Sequence, residues 1–157
     1  MYEEELAFLV AVEDPTEQSN WHRRPLDPAA VERIRQTFPG IPEDYLAYLR
    51  EVGPGSVREC QYAIYEGPDW CDEEPLFSWF ESNGRKLLVV GDNFSGDLFA
   101  FDTEQNYGVV ELLHEDMEVW PFRGGFKEFI RGKMLLGPDG TDQRPATSFR
   151  RRRVPKP

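Results

Sequence analysis

The clearest pattern of apolar and polar positions lies in residues 86–102, where two short apolar runs flank a polar segment. Residues 87–90 are branched aliphatic side chains, which suit the half-buried surface of a pleated strand, and residues 98–101 form the second run. Residues 91–97, between them, consist mainly of Gly, Asp, Asn and Ser, which favour turns. The pattern predicts a β-hairpin at the centre of the protein.

Other apolar runs predict strands on both sides of this hairpin. Residues 107–113 follow it closely, which favours an antiparallel meander over parallel strands with long crossovers. Residues 60–65 alternate as expected of a first strand, and residues 119–122 are expected to pack on the sheet edge. Residues 66–75 contain two prolines, a glycine and five carboxylates and predict a loop. The apolar cluster at residues 76–80 is compatible with helix or strand.

Helical spacing of apolar residues predicts four helices. Residues 2–12 have such spacing but are apolar enough to form a strand instead; we favour the helix. Asp27 and Pro28 are typical of a helix start, because the carboxylate can cap free amides and proline loses no hydrogen bond at the first helical position. A second start follows at Pro42, and a short helix is predicted from residue 126 to its end near Gly132.

Three of these segments resemble a known family in their order along the chain. Residues 41–56 read IPEDYLAYLREVGPGS and resemble the signature of the SUKH superfamily, Smi/Knr type, which includes fungal cell-wall regulators and bacterial immunity proteins. Residues 92–102 resemble the acidic, glycine-containing hairpin of that family, and residues 126–130, FKEFI, resemble its closing helix. The resemblance covers about residues 27–134 and implies a protein that binds other proteins.

The predicted elements and the resemblance together define the expected architecture. We expect an α+β domain in which an antiparallel sheet of about five strands carries helices packed against it, as in the Smi/Knr type of SUKH fold. Residues 1–26 are expected to form an N-terminal extension that packs on the domain, and residues 27–136 the SUKH-like domain itself. Residues 137–157 change to Pro, Gly, Thr and Arg, which predicts a basic tail that is disordered on its own.

Charge is distributed unevenly along the chain. The protein has 18 Lys and Arg against 29 Asp and Glu, a net charge of −11, of which residues 1–138 carry −15 and residues 139–157 carry +4. A negative surface repels nucleic acid and favours encounter with a basic partner. The run FRRRR at residues 149–153 could contact nucleic acid, but a solvated tail, or one that meets the acidic body or an acidic partner, is the simpler expectation.

The N-terminal residues and the cysteines indicate the expected compartment. Acidic residues 3–5 stand where a secretory signal would carry positive charge, and no apolar run reaches membrane-spanning length. We therefore expect a cytoplasmic protein without membrane contact. Cys60 and Cys71 are expected to remain reduced, with one of them buried.

Residue patterns that would support catalysis or metal binding are weak. His22 and His114 each stand alone in the sequence, whereas general acid–base catalysis needs an orienting partner. Ser95 is not part of a Gly-x-Ser-x-Gly motif. Residues 92–102 resemble a calcium loop only superficially, because the glycine is misplaced and the closing glutamate is missing. We expect no enzyme activity, no metal and no cofactor.

Two acidic clusters, each with a tryptophan, are the candidate binding sites. The candidate partner-binding residues are Asp69, Trp70, Asp72, Glu73, Glu74, Glu115, Asp116, Glu118 and Trp120. An aromatic anchor surrounded by carboxylates suits recognition of a basic protein, although a solvated acidic loop over a buried tryptophan has the same pattern. With the resemblance, this predicts a non-catalytic bacterial immunity protein that neutralises a cognate toxin, often a nuclease in this family. The alternative is a regulatory or scaffolding module without a toxin partner; the oligomeric state stays open.

Overall fold

A computed structural model describes residues 1–16 and 22–144 as an α+β structure built on one antiparallel sheet. The six strands follow one another in chain order across the sheet. They are β1 (Gly55–Val57), β2 (Tyr62–Trp70), β3 (Leu87–Asp92), β4 (Leu98–Asp102), β5 (Gly108–Leu112) and β6 (Val119–Pro121). The helices are α1 (Glu3–Val12), α2 (Pro28–Thr37), α3 (Glu43–Glu51) and α4 (Phe126–Lys133).

The central meander is confirmed. Strands β3 and β4 form the predicted hairpin, with Leu88 opposite Phe101, and β5 pairs antiparallel with β4. The predicted edge segment forms β6, whose Val119 pairs with Leu112 of β5. The sheet has six strands instead of about five, because the three-residue β1 is too short to give a periodic signal.

The predicted end of the first long strand was wrong. Residues 66–70 were expected to form a loop, yet they belong to β2, where Asp69 pairs with Val89 and Trp70 with Leu88. A register shift between Ile64 and Asp69 accommodates the residues that do not fit a regular ladder. Backbone pairing with β3 thus makes a strand of a segment whose polar side chains indicated a loop.

The main core lies between the helices and one face of the sheet. The predicted helix near the N-terminus is confirmed as α1, and the Asp27 carboxylate caps α2 by accepting a hydrogen bond from the Ala30 amide at 2.9 Å. Tyr45 of α3 packs edge-on against Phe126 of α4 at 5.1 Å and against Phe101 of the sheet at 5.3 Å. No helix in the described ranges is long and apolar enough to cross a membrane.

The other face of the sheet is covered only in part. A segment between β2 and β3, with a 3₁₀ turn at Pro75–Phe77, packs Phe77 and Phe80 against alternate residues of the central strands. Strands β3 and β4 are therefore buried on both faces, which explains why their sequences are apolar throughout instead of alternating. The uncovered part of this second face is where the site described below lies.

The two ends of the described chain pack on the domain. Glu5 of α1 is fully buried and accepts a hydrogen bond from Arg131 of α4 at 2.9 Å. Within the predicted tail, Asp142 accepts two hydrogen bonds at 2.8 Å from the buried guanidinium of Arg58. Residues 145–157 of that tail, and residues 17–21 of the predicted extension, lie outside the described residues.

Candidate partner-binding groove

A groove of about 690 Å³ opens on the second face of the sheet, between the 3₁₀ turn and the tip of the β3–β4 hairpin. We call it the acidic groove, and it is lined by Tyr65, Glu66, Asp69, Glu74, Leu76, Phe77, Trp79, Asp92, Phe94, Gly96 and Leu98. Leu98 and Phe77 are 5% and 4% exposed and form the floor, whereas Leu76 and Phe94 are 77% and 45% exposed at its rim. The groove therefore offers apolar surface that nothing in the described chain covers.

The charged residues of the acidic groove are all negative. Its lining includes four carboxylates and no lysine or arginine. Within residues 1–16 and 22–144, none of the four forms an ion pair with a basic side chain. On the helix side of the sheet, by contrast, Arg23 pairs with Glu13 at 2.6 Å and Lys133 with Glu111 at 2.6 Å. The groove therefore presents four negative charges that no basic side chain of the described residues neutralises by direct pairing.

An ordered aromatic pair supports the groove. Tyr65 stacks on Phe77 with ring centroids 6.2 Å apart and planes only 6° apart. The Tyr65 hydroxyl donates a hydrogen bond to Asp92 Oδ2 at 2.7 Å, and burial followed by this bond raises the pKa of Tyr65. The hydroxyl therefore stays protonated and keeps the Asp92 carboxylate in place.

The hairpin tip holds Phe94 in an uncommon conformation. Its φ of 57° lies in the left-handed region, which bulky side chains rarely adopt. Asp92 accepts a hydrogen bond from the Phe94 amide at 2.7 Å, and the Asn93 side chain accepts from the Ser95 amide at 2.9 Å. These side-chain bonds fix the turn, so an aromatic ring that is nearly half exposed is presented at the groove rim by a strained but well-supported backbone.

The carboxylate of Asp69 has a shifted pKa. Burial, and secondly the nearby charge of Glu74, raise the pKa of Asp69 above its ordinary value. The cost of ionising Asp69 falls when a cation approaches, because an opposite charge favours the ionised form. A bound cation therefore favours the ionised form of Asp69.

The first predicted cluster is divided by the fold. Asp69 and Glu74 line the acidic groove. Trp70, Asp72 and Glu73 line a separate cleft, which also contains Arg85 and Lys86.

Trp70 does not accompany the carboxylates of the groove. Its ring packs against Phe38 with centroids 6.0 Å apart and belongs to the core on the helix side of the sheet. Because successive strand residues point to opposite faces, Asp69 and Trp70 lie on different sides. Leu76 and Phe94 therefore take the place that the sequence assigned to this tryptophan.

The second predicted cluster lies elsewhere. Glu115, Asp116, Glu118 and Trp120, which we call the edge cluster, follow β5 and end on β6. Trp120 is 56% exposed, and its indole N–H donates to Glu118 at 2.7 Å. No member of the edge cluster lines the acidic groove, and strands β3, β4 and β5 separate it from β2. The two predicted clusters therefore lie on different strands of the sheet.

Sequence reasoning missed several residues of the groove. Tyr65 and Glu66 were assigned to a strand end and a loop, Leu76 to an undecided apolar cluster, and Asp92 and Phe94 to a turn. The one available signal was Phe94, an aromatic residue inside an otherwise polar turn sequence, GDNFSGD.

The histidines differ from one another in their surroundings. His114 Nδ1 lies 2.7 Å from Asp97 Oδ1, and the His114 amide donates to the same oxygen at 3.1 Å. This pair ties the start of β4 to the segment after β5, and the His114 ring lies close to Gly96 of the hairpin tip. His22 borders a cleft beside Glu13, whose carboxylate is paired with Arg23. No group of three or more potential metal ligands occurs among residues 1–16 and 22–144.

Comparison with known proteins found no relative of this chain. The chain matches no protein-family model, no curated protein and no solved structure. The resemblance to the SUKH superfamily therefore stays a prediction, and the functional conclusions rest on the acidic groove and on the charge of the chain.

Proposed function

We propose that this protein binds a basic protein partner through the acidic groove and acts by occlusion, without catalysis. In its specific form, the partner is a cognate toxin, with a nuclease as one candidate, and the protein is a bacterial immunity protein of the Smi/Knr type. The groove supports the first statement, whereas the toxin partner follows from the sequence resemblance alone.

The observation that carries the proposal is the combination of exposed apolar side chains with unpaired carboxylates. Leu76 and Phe94 offer area that a partner can remove from water, and Asp69 and Glu74 lie in the same groove lining. Binding hot spots combine an apolar anchor with surrounding polar groups in this way. Unpaired charges of one sign also steer an oppositely charged partner and exclude one of the same charge.

The overall charge favours the same partner. Residues 1–138 carry −15, so long-range attraction supplements the local charge of the groove. A nucleic-acid-binding protein such as a nuclease carries the complementary basic surface, because it must contact phosphates. Occlusion of that surface would block access of its substrate.

The proposal is tested by nuclear magnetic resonance with two short peptides. The ¹⁵N-labelled full chain is titrated with the basic probe Arg-Arg-Phe-Arg-Arg and with its matched acidic control Glu-Glu-Phe-Glu-Glu. We expect the basic probe to shift amide signals of Glu66, Asp69 and Phe94, to lose affinity as salt increases, and the acidic control to shift none of them. Shifts confined to the edge cluster, or equal shifts with both peptides, would contradict the proposal.

A regulatory or scaffolding module of the Smi/Knr type is the second candidate. It also binds a protein, but it predicts no toxin partner and no dependence on the groove carboxylates. A neighbouring gene that encodes a secreted protein ending in a toxin domain favours the immunity function, and the absence of such a gene favours the regulatory one.

A further inference from the structure

The chain itself contains a segment whose chemistry is complementary to the acidic groove. Residues 149–153 read FRRRR, an aromatic residue followed by four arginines. We propose that this segment docks in the acidic groove of the same chain and competes with the basic partner. The inference rests on the proposed function of the groove and concerns its regulation.

The charges and the apolar surfaces match in kind and in number. The groove has four carboxylates without a basic partner in the described residues, and the segment has four guanidinium groups. Arginine binds carboxylates through two parallel hydrogen bonds, which makes it a stronger partner than lysine in such a site. The ring of Phe149 supplies the apolar group for the space between Leu76 and Phe94.

The last described residue lies at the correct end of the sheet. Arg144 donates hydrogen bonds to Glu59 at 3.0 Å and to the Arg58 carbonyl at 3.3 Å, in the turn between β1 and β2. Because Ala63 of β2 pairs with Asp92, this turn and the hairpin tip that carries Phe94 are at the same end of the sheet.

The length of the intervening chain is sufficient. Two strand spacings amount to about 10 Å, and five extended residues reach about 17 Å. Residues 145–149 are therefore longer than the separation along the sheet edge, and the excess is the length that remains for passage from the helix side, where Arg58 lies against Phe8, to the second face.

A segment docked from the same chain weakens partner binding by competition. A short linker gives an effective concentration on the order of 1 mM. If the free segment binds the groove with a dissociation constant near 0.1 mM, the same-chain segment reduces the apparent affinity of any competitor about tenfold. The groove is then available mainly to partners that bind more strongly than the segment.

A fluorescent peptide of residues 145–157 provides the test. Its affinity is measured by anisotropy for the wild-type full chain and for a variant that carries R150Q, R151Q, R152Q and R153Q. We expect the peptide to bind the variant about tenfold more tightly than the wild type, because the groove of the variant is free. A second variant, Phe149→Ala, should show part of this gain, and Arg33→Gln, which removes an exposed charge from α2, should show none.

The possible results separate this inference from the proposed function. Equal peptide affinity for the wild type and the arginine variant would overturn the docking of the segment while leaving the groove a binding site for basic peptides. If neither protein binds the peptide, the proposed function fails as well. A tenfold difference that disappears on dilution of the wild-type protein would show docking between two copies and would overturn docking within one chain.

Discussion

Leu76 is the residue whose replacement tests the groove with the least disturbance of the fold. It is 77% exposed in the free protein, on the 3₁₀ turn that borders the groove. Full burial of a leucine side chain is worth about 1.5–3 kcal/mol. Since Leu76 is still mostly exposed, a partner that covers it can recover most of that energy, about 1–2 kcal/mol.

In a chain that also carries R150Q, R151Q, R152Q and R153Q, so that its own basic segment does not compete, the substitution Leu76→Ala should therefore weaken binding of the peptide Arg-Arg-Phe-Arg-Arg by a factor of about 5–30. The free energy of unfolding should change by less than about 0.5 kcal/mol, because most of the Leu76 side chain is in contact with water and not with the rest of the free protein. Binding is measured by calorimetric titration, and stability by urea unfolding followed by circular dichroism.

The matched control is Val10→Ala, which removes methyl groups from a side chain that is 84% exposed on α1, outside the acidic groove. It should leave peptide affinity unchanged within about twofold, because substitutions on the surface away from a site usually have effects of this size or smaller. Equal losses in both variants, or unchanged affinity in Leu76→Ala with unchanged stability, would refute the role of Leu76 as the apolar anchor.

Three further predictions concern the fold. Gly91→Ala should reduce the free energy of unfolding by about 3 kcal/mol in urea titrations, since the added carbon would lie only 2.2 Å from a carbonyl oxygen of β2; an unchanged value would contradict the register of β3. Cys60 is exposed, whereas burial raises the pKa of Cys71 to about 11, so a thiol reagent should modify one cysteine rapidly and the other only on unfolding; rapid reaction of both would contradict the packing of the second face. The hydrogen bond from Arg58, opposed by burial, lowers the pKa of Asp142, so this pair stabilises the fold above the unfolded pKa of about 3.9 and loses its effect as pH falls through the lower native value; Asp142→Asn should flatten the acid loss of thermal stability, and an unchanged acid profile would contradict the pair.

Much of the fold could be predicted because the central strands and the start of α2 are specified by residues that are close together in the sequence. The hairpin of β3 and β4 combines two apolar runs with turn residues in one continuous segment, so no distant contact was needed to identify it. The start of α2 was equally local, since Asp27 caps the amide of Ala30 only three residues away.

The errors arose where pairing between distant segments decided the structure. Residues 66–70 have the composition of a loop, yet their backbone pairs with β3 through a register shift that composition does not encode. Strand β1 has only three residues, all buried, and becomes a strand because β2 lies beside it.

The acidic groove depends on the same distant pairing. Asp69 and Glu74 were predicted as binding residues from their local charge, but their proximity to Phe94 follows from the place of β2 next to the hairpin. Trp70 was assigned to the same site because it is adjacent in sequence. In a strand, adjacent residues face opposite sides, so the tryptophan belongs to the helix-side core instead.

The most direct test compares two double substitutions that remove equal charge from the two predicted clusters. Asp69→Asn with Glu74→Gln removes two of the four negative charges of the groove, and Glu115→Gln with Glu118→Gln removes two of the three negative charges of the edge cluster; both keep side-chain shape. Both pairs are made in chains that also carry R150Q, R151Q, R152Q and R153Q, so that the protein's own segment does not compete. For the peptide Arg-Arg-Phe-Arg-Arg at low salt, we expect the groove pair to weaken binding about tenfold and to reduce its salt dependence. The edge pair should change affinity by less than about twofold. An equal loss in both variants, or a larger loss from the edge pair, would contradict the assignment of the acidic groove as the binding site.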